Sequence, residues 1–132
     1  MSFSPRIVRW LLIQGQGLFY VLAGLNHFVQ PEFYLALMPS WIPQGELMHM
    51  VAGAFEILFG LGLLWQKTRP LAAVGIMGLL VAFIPVHVVF VVNGSCIPDG
   101  LCVPAWVGWL RLVLVHPFLM LAVMKAGLVK KS

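Results

Sequence analysis

The chain has 132 residues, of which 61% are apolar and 9% are charged, with a formal net charge of +4 and a mean hydropathy of +1.00. Soluble domains contain about 45–50% apolar and about 25% charged residues. So few charged groups cannot cover the surface of a soluble domain, and so many aliphatic and aromatic residues exclude a disordered chain. The basic residues form no single run, so no nucleic-acid partner is expected. The composition predicts a lipid bilayer as the surroundings of this chain.

Four apolar stretches have the length of membrane spans, over residues 10–28, 47–65, 71–92 and 104–124. Each has about 19–22 residues, which as a helix cover roughly 28–33 Å, close to the thickness of a hydrocarbon core. Backbone groups in lipid must be hydrogen-bonded within the segment, so each stretch must be helical. We therefore predict an all-α four-helix transmembrane bundle, with residues 1–132 as a single domain.

The segment between the first two spans predicts a short helix at the membrane surface, over residues 31–38. Pro31 suits the first helical turn, and the following Glu32 suits the positive end of a helix dipole. Phe33, Tyr34 and Leu37 would form its apolar face, which is typical of an interfacial helix.

The basic residues predict the orientation of the bundle. The N-terminus, the link between the second and third spans, and the C-terminus contain seven Lys or Arg residues, whereas the other two links contain none. Cytoplasmic segments carry an excess of Lys and Arg, so both termini are expected in the cytoplasm. The seven residues are Arg6, Arg9, Lys67, Arg69, Lys125, Lys130 and Lys131.

The tryptophans agree with this orientation. Trp10 and Trp65 would mark the inner interface of the membrane. The outer interface would be marked by Trp41, Trp106 and Trp109.

A cleavable signal peptide is the alternative interpretation of the first apolar stretch. Such a peptide would also begin with basic residues, but this stretch is longer than the usual apolar core of a signal peptide and lacks an Ala-x-Ala site.

Each of the four predicted spans contains at least one charged or imidazole side chain, and such groups are costly in lipid and point to function. Counting from the links places Glu56 and His116 near the middle of their spans and His27, His87 and Arg111 towards the outer side. Because all four spans contribute, we predict a polar pocket in the outer half of the bundle.

Helical spacing predicts which faces meet at this pocket. In the second span His49, Gly53, Glu56 and Gly60 recur at steps of three or four, together with Glu46, so they share one face. The two glycines allow close helix approach, which indicates that this face points into the bundle. The first span carries a similar face, made by Gln16, Tyr20, Gly24 and His27.

The fourth span is expected to contribute Arg111 but not His116. Arg111 shares a face with Pro104, Gly108 and Val115, whereas His116 follows it by five positions, about 140° around an α-helix. We therefore leave His116 outside the predicted pocket. In the third span, Pro85 is expected to kink the helix just before His87.

The predicted ligand-binding residues are His27, His49, Glu56, His87 and Arg111. They would form a small-molecule or proton site open to quinone or lipid headgroups. The structural alternative is that these groups only hold the helices together, with Glu56 and Arg111 as a buried ion pair.

A copper(I) site is a further alternative, because Met48, His49 and Met50 supply thioether and imidazole ligands beside one another. Adjacent residues of an α-helix point about 100° apart, however, so the three cannot all bind one ion. No metal site is therefore predicted.

Cys96 and Cys102 lie in the same predicted outer loop. Because that side faces an oxidising compartment, a disulfide is expected between them. A structural cross-link is the simpler interpretation, and a redox-active pair is the alternative, although the spacing is not C-x-x-C.

Several motifs resemble those of DoxX-like membrane proteins. They are the run 23–28 (AGLNHF), the prolines and aromatic residue that follow it, the run 53–60 (GAFEILFG) with 67–69 (KTR), and 109–112 (WLRL). The resemblance covers about residues 17–121, but the third span has His87 where the family tends to carry an amide, and the cysteine loop is peculiar to this chain.

The resemblance implies a fold and a setting. The family is similar to MauE and to the membrane subunit of thiosulfate:quinone oxidoreductase, which are small four-helix proteins of the bacterial inner membrane. It implies a multi-pass accessory protein or subunit of a redox system, linked to quinone or thiols, with membrane redox partners, and His27, Glu56 and Arg111 as its site residues. The sequence leaves self-association into a homo-oligomer open. The rival class is a non-enzymatic membrane chaperone or a protein that binds a lipid or another small ligand.

Overall fold

The computed structural model describes residues 4–128, which form five helices. The helices are α1 (Pro5–Val29), α2 (Pro31–Leu37), α3 (Gly45–Leu64), α4 (Arg69–Val92) and α5 (Ala105–Leu128). The predicted all-α four-helix bundle is confirmed. Lys130 and Lys131, which contribute to the predicted orientation, lie outside the described residues.

The four long helices are long and apolar enough to cross a membrane. They match the predicted spans, although α1 begins at Pro5 and α5 continues to Leu128, beyond the predicted limits. Large apolar side chains on their outer faces are more than half exposed, for example Leu18 and Phe118, each 58% exposed. Apolar surface this extensive is typical of a face that lipid covers. The chain is thus a multi-pass membrane protein.

α1 and α3 pack closely because glycines face each other across the pair. A Cβ atom added to Gly24 would lie 2.5 Å from the carbonyl oxygen of Gly53, and one added to Gly53 would lie 2.6 Å from the Cβ atom of His27. No side chain larger than hydrogen fits at either position without displacing the helices. The contact also presses His27 of α1 against α3.

A short link joins α3 to α4 at the end of the bundle that carries most described basic residues. Nε of Arg69 donates a hydrogen bond to the carbonyl oxygen of Leu63 (2.7 Å), and Oγ1 of Thr68 donates one to that of Gly62 (2.9 Å). These bonds satisfy carbonyl groups that the end of a helix leaves free. Above this link lies the apolar core, which consists of Tyr20, Leu63, Ala72, Ala73, Ile76, Leu80 and Val123.

The opposite end holds the loop from 93 to 104, and we call it the disulfide end. Gly94 has a φ of +84°, a left-handed conformation that favours glycine and turns the chain out of α4. Cys96 and Cys102 then form a disulfide. Ser95 is fully buried against Gly108, where an added Cβ would meet the Ser95 hydroxyl, so the loop is fixed to the start of α5.

α5 is not a uniform α-helix, because a π-helical turn occupies Arg111–Val115. The following Pro117 has no backbone N–H, and its ring conflicts with the carbonyl group four residues earlier in an α-helix. A wider turn at this point relieves that conflict, and such turns recur at functional positions of helices. Pro85 also lies inside a helix, yet α4 remains helical across it.

Candidate functional site

The centre of the candidate site is a buried imidazole–carboxyl pair between α1 and α3. Nε2 of His27 lies 3.5 Å from Oε2 of Glu56, and the two side chains are only 6% and 7% exposed. The two atoms are at ion-pair distance, but Oε2 of Glu56 has no hydrogen-bond partner within residues 4–128, so both groups keep capacity for another partner. The pair combines a group that gives up protons with one that accepts them.

Two further rings stack around this pair at the disulfide end. The ring of Tyr34, from α2, lies 3.5 Å from that of His27 in a stacked arrangement, and the ring of His49 lies 5.8 Å from it on α3. The Tyr34 hydroxyl accepts a hydrogen bond from Nδ2 of Asn26 (3.0 Å) and donates one to the carbonyl oxygen of Ala23 (3.4 Å). Burial raises the pKa of Tyr34, so the phenol is neutral at physiological pH.

Many polar atoms in this region lack hydrogen-bond partners among residues 4–128. Buried polar groups are ordinarily paired, and leaving one unpaired costs about 1–3 kcal/mol. A cluster of such atoms therefore indicates water or a ligand in contact with them. Beside the pair, the unpaired atoms are Nδ1 of His27, Nδ1 of His49 and Oε2 of Glu56. The Tyr20 hydroxyl and the Gln16 amide atoms are also unpaired, about two and three turns away from His27 along α1.

A second polar group lies on α5, around Arg111. Nη1 of Arg111 is 3.5 Å from Nδ1 of His116, and Nε2 of His116 is 2.7 Å from the carbonyl oxygen of Leu80 on α4. Because a guanidinium only donates, Nδ1 must accept, so the proton of a neutral His116 lies on Nε2 and is donated to Leu80. The ring of His87 meets that of His116 edge-on at 5.2 Å.

The five predicted ligand residues thus fall into two groups. His27, His49 and Glu56 come together at the α1–α3 contact, whereas Arg111 and His87 gather around His116. Glu56 pairs with His27, and no ion pair joins it to Arg111 within the described part of the chain.

The expectation that His116 faces away from Arg111 was wrong, because a π-helical turn lies between the two residues. In a π-helix hydrogen bonds connect residues five apart, and the His116 N–H indeed bonds to the carbonyl group of Arg111. The two side chains therefore share a face, although an α-helical wheel separates them by about 140°.

Sequence reasoning also missed the role of Tyr34, which was placed on the apolar face of an interfacial helix. The short helix is present, but its tyrosine stacks on His27. Tyr34 follows His27 by seven positions, with Pro31 between them. This spacing is the one signal in the sequence that the chain turns back and returns Tyr34 to α1.

Methionines do not converge on His49. Met48 and Met50 are exposed while His49 is 1% exposed, so the three side chains point in different directions. Between residues 4 and 128, no group of three His, Cys, Asp or Glu side chains is placed to hold a metal ion.

A cleft of about 330 Å³ opens at the disulfide end, between the α2–α3 link and the cysteine loop. Met38 and Trp41 line one wall, and Phe90, Asn93 and Cys96 line the other. Its lining is mixed apolar and polar, and it brings one half of the disulfide to an open surface.

The fold and these two groups define a class: a small multi-pass helical membrane protein with ionisable side chains buried between its spans. Residues 17–126 match the family model described as domain of unknown function DUF8561, and the chain therefore belongs to that family. No curated protein and no solved structure matches the chain.

Proposed function

We propose that the protein binds a small hydrogen-bonding molecule, with a quinone as the leading candidate, beside His27 and Glu56. In this role it would serve as an accessory protein or subunit of a membrane redox system. The observation that supports the proposal is the buried pair at 3.5 Å, together with the nearby Nδ1 atoms of His27 and His49, which have no partner among residues 4–128.

Quinone chemistry suits this set of side chains. Each quinone carbonyl oxygen accepts a hydrogen bond, and it takes up a proton when the ring is reduced. Imidazole and carboxyl groups exchange protons near neutral pH when their surroundings permit it. The stacked rings of Tyr34 and His49 offer flat surfaces for a planar ligand.

The setting of the proposal combines two observations on the sequence. The distribution of Lys and Arg favours cytoplasmic termini, which would place the disulfide end outside. The resemblance to DoxX-like proteins favours the bacterial inner membrane and redox partner proteins. Together they would bring the His27–Glu56 pair within reach of the outer leaflet.

The test is quinone binding by the purified protein in lipid nanodiscs, with decylubiquinone as the probe. Glu56→Gln removes the ionisable group but keeps the shape, and it should weaken binding by about tenfold or more, as loss of a charged hydrogen bond does. Glu46→Gln is the matched control, because Glu46 is an exposed carboxylate of the same helix.

Two results would contradict the proposal. The first is equal binding by wild type and Glu56→Gln, which would separate the quinone from this pair. The second is a wild-type protein that binds no quinone and copurifies with phospholipid, which would favour the lipid-binding or chaperone alternative.

A further inference from the structure

Arg111 forms no ion pair in the part of the chain that the structure describes. Its hydrogen-bond partner is the imidazole of His116, at 3.5 Å, and no carboxylate between residues 4 and 128 lies at salt-bridge distance. His116 contributes only a lone pair, since its other nitrogen bonds to Leu80. A neutral imidazole does not balance a guanidinium charge inside a membrane.

Tyr20 supplies an unused donor in the same region. Its side chain is 2% exposed, and its hydroxyl has no hydrogen-bond partner among residues 4–128. Tyr20 belongs to the same buried cluster as Leu80 of α4, and the Leu80 carbonyl oxygen bonds to the His116 ring that contacts Arg111. A cation and a free O–H donor on neighbouring helices are the groups that bind an oxyanion.

We propose that Arg111 and the Tyr20 hydroxyl bind an anionic oxygen group, a carboxylate or a phosphate, in the half of the bundle nearer the disulfide end. The planar guanidinium offers parallel donors to two oxygens of one anion, and the hydroxyl adds a third. Arg111 is six residues into α5, about 9 Å from its start, a depth that the phosphate of a lipid headgroup or a small soluble anion can reach.

This proposal goes beyond the quinone site and does not depend on it, because the residues differ. Glu56→Gln should weaken quinone binding by about tenfold or more without weakening anion binding, since it removes no donor from the anion site. The two experiments can therefore show that one proposal is wrong while the other still holds.

The experiment has two arms, both on the full chain in a non-ionic detergent. Native mass spectrometry compares retained phosphatidylglycerol with phosphatidylcholine, and thermal unfolding compares sodium phosphate with sodium chloride at equal ionic strength. Retention of phosphatidylglycerol alone identifies a lipid headgroup, and a higher Tm in phosphate identifies a small anion.

Variants tie either signal to the site. Arg111→Gln should lower the apparent affinity by about tenfold or more, and Tyr20→Phe by about two- to tenfold. Arg6→Gln, which removes an exposed cation from the other end of α1, should change it by less than about twofold. If Arg111→Gln does not fold, Arg111→Lys should still weaken binding, because it keeps the charge but loses the paired donors.

The proposal is overturned if wild type prefers neither phosphatidylglycerol nor phosphate, a comparison that requires no variant. It is equally overturned if Arg6→Gln weakens binding as much as Arg111→Gln, since the anion would then respond to net charge alone.

Discussion

Glu56 is the residue whose partner matters most, because that partner determines whether the carboxyl group can exchange protons. The structural alternative from the sequence was a buried ion pair between Glu56 and Arg111, in which the carboxylate would stay ionised. Its neighbour is His27 instead, at 3.5 Å. An acid beside an imidazole can hold or release a proton, which a carboxylate beside a guanidinium does not readily do.

A double-mutant cycle tests this pairing. Glu56→Leu alone should lower the free energy of unfolding by about 1–3 kcal/mol, because it leaves a buried imidazole nitrogen unpaired. The double variant with His27→Leu should cost less than the sum of the single variants, with a coupling of about 1 kcal/mol. Thermal or denaturant unfolding in detergent gives the values.

The matched cycle combines Glu56→Leu with Arg111→Leu. Since Arg111 contacts His116 and not Glu56, the coupling energy between Glu56 and Arg111 should be smaller than that between Glu56 and His27. A larger coupling with Arg111 than with His27 would mean that the sequence-based pairing is the correct one.

Tyr34 offers a second test at the level of one hydroxyl group. Tyr34→Phe keeps the ring on His27 but leaves the Asn26 amide without its acceptor, so stability should fall by about 1 kcal/mol. Tyr34→Leu should cost more, because the ring is lost as well. An unchanged Tm for Tyr34→Phe would argue against the hydrogen bond to Asn26.

Among the helices, the α1–α3 pair is the element that creates the site. His27 and Glu56 can meet because Gly24 and Gly53 let two backbones approach closely. Small residues at such contacts are how helices associate where no hydrophobic force acts between them. The glycines are thus part of the site, although they carry no functional group.

This contact predicts a contrast between two glycines. Gly24→Ala should destabilise the protein by about 1–3 kcal/mol, because the new methyl group overlaps the carbonyl oxygen of Gly53. Gly78→Ala should be neutral or slightly stabilising, since nothing lies within 4 Å of the added atom and alanine favours a helix. Unfolding of both variants under identical conditions gives the comparison, and equal effects would mean that α1 and α3 are not in close contact.

α5 shows how one irregular turn rearranges a site. Its π-helical turn places His116 beside Arg111. The imidazole of His116 also bonds to the carbonyl oxygen of Leu80 and so connects α5 to α4. A regular helix would have turned His116 towards another neighbour. The proline at 117 is the sequence feature that accounts for the turn.

For the whole molecule, orientation in the membrane is the first property to measure. After reduction, a membrane-impermeant maleimide should label Cys96 and Cys102 from outside the cell, because both are exposed at the disulfide end. The expectation follows from the basic residues at the opposite end. Labelling seen only in inverted vesicles would reverse the topology.

The disulfide should also contribute to the stability of the whole fold. The intact protein should weigh about 2 Da less than after reduction, because forming the S–S bond removes two hydrogens. Cys96→Ser should lower the free energy of unfolding by about 2 kcal/mol, the value expected for a short closed loop. Unchanged stability together with lost redox activity would favour the redox-active alternative.

Composition and periodicity were sufficient for the four spans, the short helix α2, and the buried faces of α1 and α3, except that Glu46, which was placed on the same face of α3, is exposed. Lipid leaves a chain few choices, since apolar stretches of this length must be helical, and glycine with polar residues at helical spacing must face inward. The positions of Gly53 and Glu56 follow from this rule, and both are buried.

Which buried groups meet was settled only by three-dimensional packing. The sequence placed Glu56 and Arg111 on inward faces, but the glycine contact set Glu56 against His27 and left Arg111 to His116. A helical wheel assumes uniform α-helical geometry, so it could not anticipate the π-helical turn or the return of Tyr34 to α1. The direction in which a side chain faces is a local property of one helix. The side chain that it meets depends on the depth, rotation and irregularities of both helices.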